Sequence, residues 1–571
     1  MIKRQAVFSA LSVITLTALV AGAGGGLANA KAVRPERVSS RQSAITIALP
    51  SAFGPNLIPA LDSSLYTANI TNYQFDPILN VNPQDQLIGD IVKTWSYSPD
   101  KKTIYFHIDP LARWSNGQPV TAQDVELGVD WLASKTYNTT DNGEYSYEVN
   151  SIVGAAKPIP DGTTPSGFKI INAHEFSLTT YNVDATNLSA NLQFIQPLPY
   201  FALGKIPMSQ WKSSAFNKLP SVGDGPYIVK SVVPGQSVTM TANPYYLHGK
   251  PLIETTIYKV VSPDVVVGDL VSGQVNMSGI HPKDVTKLKG VPGVSVNDSP
   301  TNGYSFLGWR LNNAVYGKEF SNVKFRQAVE YAINREAIVQ AIDKGYGKPE
   351  NGPLPPVNFW YNKALDNTYS YSPAKANQLL DQAGFKIKNG WRTTPSGQAF
   401  TPTLTISTGD TNIQIEANFI QQYLKAVHID VLVLPAIDFN TLLNQLNNDA
   451  NGKQPVQGFF MAWSLGSGPQ DPRPLWLSGA AFNTTTQDWQ TPKSVLAQSD
   501  KLLNEQASAA SYSDNYRKRV LDQWQVLMNQ QMPTNFLTMD DTLTGYSSNL
   551  HGVVFTDLGT FYPWKWYFTS K

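Results

Sequence analysis

The 571 residues contain no cysteine, which excludes a disulfide framework, a thiolate zinc site and a thiol nucleophile together. Histidine is scarce: the six, at 107, 174, 248, 281, 428 and 551, never fall within one helical turn of each other, so no local metal-binding motif exists. Charge is sparse too, at 15% of residues, with 44 Lys+Arg against 43 Asp+Glu. That near-neutral balance lacks the basic excess of a nucleic-acid-binding surface. Catalytic signatures are also missing. There is no G-x-S-x-G turn, no H-E-x-x-H and no G-x-x-x-x-G-K-[ST] loop. Ser209-Gln-Trp-Lys212 fits S-x-x-K, but no K-T-G follows. The adjacent Asp540 and Asp541 would point to opposite faces of a strand.

Apolar and aromatic residues are plentiful, at 42% and 11%, with 13 Trp and 26 Tyr, enough for sizeable cores and inconsistent with disorder. Length alone suggests about two to four domains. Lys3 and Arg4 precede an uncharged apolar stretch from Ala6 to Ala23, and Ala28-Asn29-Ala30 supplies small residues for cleavage. We read 1–30 as a signal peptide and 31–43, with its Pro35, as a flexible tether, so the mature chain is expected outside the cytoplasm. No cysteine follows Val20-Ala21-Gly22, which closes the lipidation route.

Periodicity places a strand near Ile45–Leu49 and a half-buried strand at Thr103–Ile108. A helix starts at Thr121 with Asp124 three residues on. Pro226–Val233 and Gln236–Ala242 read as strands paired about Pro234-Gly235, and 138–168 as mostly loop. After about Asn312, helices and strands alternate. Helical spacing runs from Phe325 to Ile342 and stops at Gly345. A second helix begins with Ser372 and Pro373 and ends at Gly384. Thr403–Ser407 and Ile429–Leu434 flank a helix near Ile413–Lys425, a β-α-β order that argues for parallel strands. Helical patterns recur at Phe439–Leu446 and Val495–Gln530; strand chemistry returns at Phe536–Met539 and Val553–Phe555.

Four stretches, in order, resemble the solute-binding proteins of peptide ABC importers, the oligopeptide/dipeptide-binding family (solute-binding protein family 5). They are Trp114–Val125 (WSNGQPVTAQDV) after Trp95–Asp100, Val222–Tyr227 (VGDGPY), Asn243–Tyr246 with Gly249–Pro251, and Val323–Arg335 (VKFRQAVEYAINR). Each has a structural role of its own in a turn, a strand start or a helix face, so they identify the fold and do not mark a binding site.

The resemblance implies an α/β, two-lobed, periplasmic-binding-protein-like clamp with two hinge-crossing segments and a first lobe enlarged by an extra subdomain. The expected division is 44–84, 216–311 and 533–571 for the first lobe, 85–215 for its extra subdomain and 312–532 for the second lobe. The implied function is capture of a peptide by hinge closure and delivery to an ABC-transporter permease; an oligosaccharide is the alternative ligand. No enzyme activity, cofactor, metal or nucleic acid is expected, and a monomer is.

The best local candidate for the ligand site is Met461–Pro472, with Trp463, Ser464, Gly466, Ser467 and Asp471. In peptide-binding relatives an acidic residue three or four positions before the Pro receives the peptide amine. Gly468 and Pro469 stand there instead. Asp471 reads either as a turn former or as an amine binder, and Trp463 either as a ligand floor or as core. Phe53, Gly54 and Asn56 form the matching loop after the first strand, with Tyr304 and Trp360 as further candidates.

Overall fold

A computed structural model describes residues 43–570 apart from 63, 142, 409–410, 448–454, 467–470, 481–482 and 484–492. The signal peptide and the tether lie outside the described residues. No described helix is long and apolar enough to cross a membrane. The chain forms two compact units: one holds Pro300–Leu465 and Gln470–Asp541, the other the described residues up to 299 and from 542 onward, with Gly466.

In the unit that contains the N-terminal part, Ala44–Leu49 sits inside a mixed sheet. It runs parallel to Thr255–Val260, Ile45 facing Thr256, and pairs on its other edge with Met277–Gly279. Thr255–Val260 continues into the antiparallel hairpin Tyr227–Val233/Ser237–Ala242, whose turn holds Gly235 at φ +68°. The hairpin expected from the alternating pattern is therefore present. A second, antiparallel sheet orders Val92–Tyr97, Thr103–Ile108, Glu175–Thr179 and Phe168–Asn172. Ile104, Phe106 and Ile108 are buried on one face of their strand, and Trp114, Trp131 and Trp211 share that core.

The motifs that carried the resemblance are structural nodes. Asp124, in the first turn of helix Ala122–Ala133, accepts the Thr121 N–H at 2.8 Å, the Thr121 hydroxyl at 2.9 Å and the Tyr200 N–H at 2.9 Å. Gly223 and Gly225 are glycines because a Cβ would stand 2.1 Å from the Gln74 carbonyl and 2.6 Å from that of Tyr73. Gln74 itself donates to the carbonyls of Pro220 and Val222 and accepts from the Val229 N–H, so it ties the motif to the sheet.

The other unit is built on a five-stranded sheet in the order Leu432–Val433, Thr403–Thr405, Gly458–Ser464, Gly303–Trp309 and Asn535–Phe536. Thr403–Thr405 and Leu432–Val433 are parallel, with helix Thr411–Ala426 between them in sequence, as the β-α-β order required. Its core gathers Trp309, Phe320, Phe325, Phe385 and Phe400 around the sheet and helices.

Two expectations change. Helical spacing from Phe325 to Ile342 is interrupted: Val323–Ala332 ends at extended Ile333, and Asn334 caps a new helix, Arg335–Ala341. The pattern over Val495–Gln530 is likewise two helices, Lys493–Glu505 and Asp514–Gln531, with a 3₁₀ turn at Ala509–Tyr512. The first break turns Arg335 inward, where it lies 2.7 Å from Glu330 and donates to the carbonyls of Glu350, Phe536 and Tyr369. Arg326, on the same motif, is buried and donates to the carbonyls of Phe320, Gln531 and Met532. Burial brings its pKa down to about 9.

Candidate functional site

Tyr304 and Trp463 stand opposite each other on adjacent antiparallel strands, and Gly303 faces Ser464. Trp463 is half-buried and lies parallel to Phe306, with ring centroids 6.1 Å apart and planes at 14°. A Cβ on Gly303 would come within 2.5 Å of the Trp463 carbonyl, so this strand end depends on glycine for its close approach. Tyr304 is buried against Phe306 and Phe536. Burial, and then the charge of Glu350, push that phenol far above its ordinary pKa.

Trp360 and Asp471 are linked within the same unit. The Arg517 guanidinium lies 4.7 Å from the centroid of the Trp360 ring, a cation–π geometry. Arg517 donates to Gln506 at 3.1 Å, and Gln506 donates to Asp471 at 2.9 Å. Asp471 is also held by Arg473, through its backbone N–H at 3.0 Å and its guanidinium at 2.6 Å. Burial raises the Asp471 pKa, but the charge and hydrogen bonds of Arg473, with Arg517 beyond, outweigh it and leave the carboxyl below its usual range. It is an ionised group already supplied with cationic partners. Ser467, with Gly468 and Pro469, lies outside the described residues, while Gly466 has φ +72°.

In the N-terminal unit, Phe53 is core: its ring packs with Leu49, Leu57, Ile70 and Tyr73. Gly54 donates its N–H to Thr67 at 2.7 Å, and Asn56 accepts from Asn217 at 2.8 Å. The loop is thus fastened at both ends, and Gly54 and Asn56 are its half-exposed positions. The Asp62 carboxylate covers Gly54 so closely that a Cβ there would meet it at 1.5 Å. Asp62 also lines a cavity of about 100 Å³ in this unit, together with Asp76, Trp131, Tyr145 and Glu148. Those five were not singled out from the sequence. Tyr145 and Glu148 lie in a stretch read as loop, and no short motif marks a buried acid.

Two α/β units linked by several crossings of one chain define the periplasmic-binding-protein class of fold, and solved structures agree. The chain matches AppA of Bacillus subtilis in complex with a nonapeptide with a TM-score of 0.70 at 21% identity, over 92% of this chain and 99% of that one. It matches the unliganded open form of the murein tripeptide-binding protein MppA with a TM-score of 0.74 at 17% identity, over 93% and 98%. Residues 86–485 match the model of the bacterial extracellular solute-binding proteins, family 5 Middle, and the chain belongs to this family. Among curated relatives, the oligopeptide-binding protein AppA of Bacillus subtilis (strain 168) is 27% identical over 359 residues, 61% of this chain and 63% of that protein. The match thus spans less than two thirds of that relative. The oligopeptide-binding protein OppA of Lactococcus lactis subsp. cremoris is 26% identical over 469 residues, 76% of this chain and 75% of that one.

Proposed function

We propose that this chain is an extracytoplasmic receptor that captures peptides and delivers them to an ABC-transporter permease. The observation that carries the reading is the family match over residues 86–485, supported by relatives whose names specify oligopeptide binding. In this reading residues 1–30 direct secretion, 31–43 tether the folded part, and the receptor acts as a monomer. Gly54, Asn56, Trp463, Ser464 and Gly466 are the positions assigned to ligand contact. Trp463 offers a flat half-buried ring for apolar contact, and glycine-rich backbone lets a peptide main chain approach and hydrogen-bond as a strand does. Micromolar capture needs about −8 kcal/mol net, within range of several such bonds and one aromatic contact.

Asp471 is engaged by Arg473 and Gln506, so the peptide is held through its backbone and not by an amine anchor at this carboxylate. Mass spectrometry of ligand released from purified protein, followed by calorimetry with free and N-acetylated forms of the same peptides, tests this. We expect peptides to be released, with both forms binding within about threefold of each other. Oligosaccharide in the released fraction, together with indifference to every peptide, rejects the peptide reading.

A further inference from the structure

We infer that the cavity walled by segments 59–62, 68–77, 128–132, 145–148 and 194–198 of the N-terminal unit is a binding site for an alkylammonium group. Among the described residues its lining carries three carboxyl groups, Asp62, Asp76 and Glu148, and no Lys, Arg or His. Glu148 is 8% exposed and its carboxyl has no hydrogen-bond partner among the described residues. Trp131, 1% exposed, has an indole N–H that is also unpaired, and the Trp131 and Tyr145 rings are part of the same wall.

Charge selects the guest. An anion would meet three acids. A purely apolar guest would leave the Glu148 carboxyl buried and unsatisfied, which costs free energy. A cation pairs its charge with the carboxylate and sets its polarised C–H groups against the aromatic rings, while the indole N–H, itself a donor, takes nothing from it. Burial alone pushes Glu148 to about 8, so unaided it keeps its proton at neutral pH; a neighbouring ammonium favours the ionised form. Volume limits the guest. A cavity of roughly 150 Å³ holds a benzene, so this one suits an ammonium on a chain of about four carbons. The pocket also adjoins the Phe53–Asn56 loop, because Asp62 lies directly over Gly54.

Two sources offer this chemistry: a free small amine, or the side chain of a lysine in a bound peptide. The second rests on the peptide reading above, and the first does not. The test is calorimetry on the full chain with n-butylammonium and with 1-butanol, its neutral counterpart of similar size, repeated with Glu148→Gln. We expect the ammonium to bind at least tenfold tighter than the alcohol, and Glu148→Gln to lose at least tenfold of that affinity while still melting in a cooperative transition. Equal binding of the two probes overturns the proposal, and so does undiminished ammonium binding by a folded Glu148→Gln. Should the variant fail to fold, the wild-type pair of probes still decides. A peptide pair differing by lysine against norleucine separates the sources. Preference for lysine supports the side-chain source, and equal peptide binding alongside ammonium binding supports the free amine. Ammonium binding with no peptide bound keeps the site and removes the peptide reading. Peptide binding with no preference for lysine and none for the ammonium over the alcohol removes the site alone.

Discussion

Asp471 illustrates how a single carboxylate is committed by its neighbours. Its oxygens accept from the Arg473 backbone, the Arg473 guanidinium and the Gln506 amide, and through Gln506 it is coupled to Arg517 and so to the face of Trp360. A peptide amine would have to displace partners that already satisfy it. Charge-assisted hydrogen bonds of this kind contribute about 1.5–3 kcal/mol each when buried. Replacing Asp471 with Asn keeps the shape but removes the charge opposite Arg473. We expect Asp471→Asn to lower the free energy of unfolding by about 1–3 kcal/mol in chemical denaturation. The affinity ratio between free and N-acetylated peptides should stay within twofold. A tenfold loss for free-amine peptides alone, at unchanged stability, would assign Asp471 the anchoring role.

At the scale of elements, what was legible in the sequence is what local chemistry determines. Ser372 accepts from the Lys375 N–H, Pro373 opens the helix Pro373–Gln382, and Gly384 follows its end at φ +89°. The Thr121–Asp124 helix start and the hairpin about Gly235 follow from equally local signals. The break inside 325–342 was not legible, because the apolar stripe continues through it. Val329, Ala332, Ile333 and Ile338 are all buried whether the helix is one piece or two. What interrupts it is Asn334, whose side chain accepts from the Ala337 N–H at 3.0 Å, together with long-range partners for Arg335. Register was hidden for the same reason. Tyr304 and Trp463 were separate candidates, and their facing positions come from strand pairing 159 residues apart, the difference of their sequence numbers. Glu148 of the cavity wall was missed because the 3₁₀ turn Glu144–Glu148, entered through Gly143 at φ +62°, sits in a polar stretch without periodicity. Removing an N-cap side chain costs about 1 kcal/mol. We therefore expect Asn334→Ala to lose about that amount in a denaturant titration with an unchanged slope. A null effect would mean that the Arg335 contacts alone hold the break.

Across the whole molecule, low charge density coincides with carboxyl groups that are largely buried. Burial is the leading cause of a raised pKa at each: Asp130 and Glu330 move to about 7, Glu148 and Glu350 to about 8, and Asp76, Asp124 and Asp224 move upward as well. Arg335 opposes the shift at Glu330 and Glu350 without cancelling it. In the unfolded chain the same groups titrate near about 4. A group whose folded pKa lies above its unfolded one binds more protons when folded. Its contribution is therefore fully present below about pH 4 and is lost as the pH climbs through the folded value. Asp471, with its lowered pKa, works in the opposite sense and penalises the folded state only at still lower pH. The two trends place the stability maximum on the acidic side, near pH 4–5, with a decline from there to about pH 8. Each kcal/mol lost lowers the melting temperature of a domain of this size by about 2–4 °C. Calorimetric scans between pH 3 and 9 should therefore show a melting temperature at pH 4.5 at least about 5 °C above that at pH 8. If stability instead rises between pH 5 and 8, the buried acids are ionised and paired in the folded protein, and the expectation for its acid behaviour fails. Glu148→Gln, which removes one titrating acid, should flatten the decline between about pH 4.5 and 8 and leave the acidic limb in place.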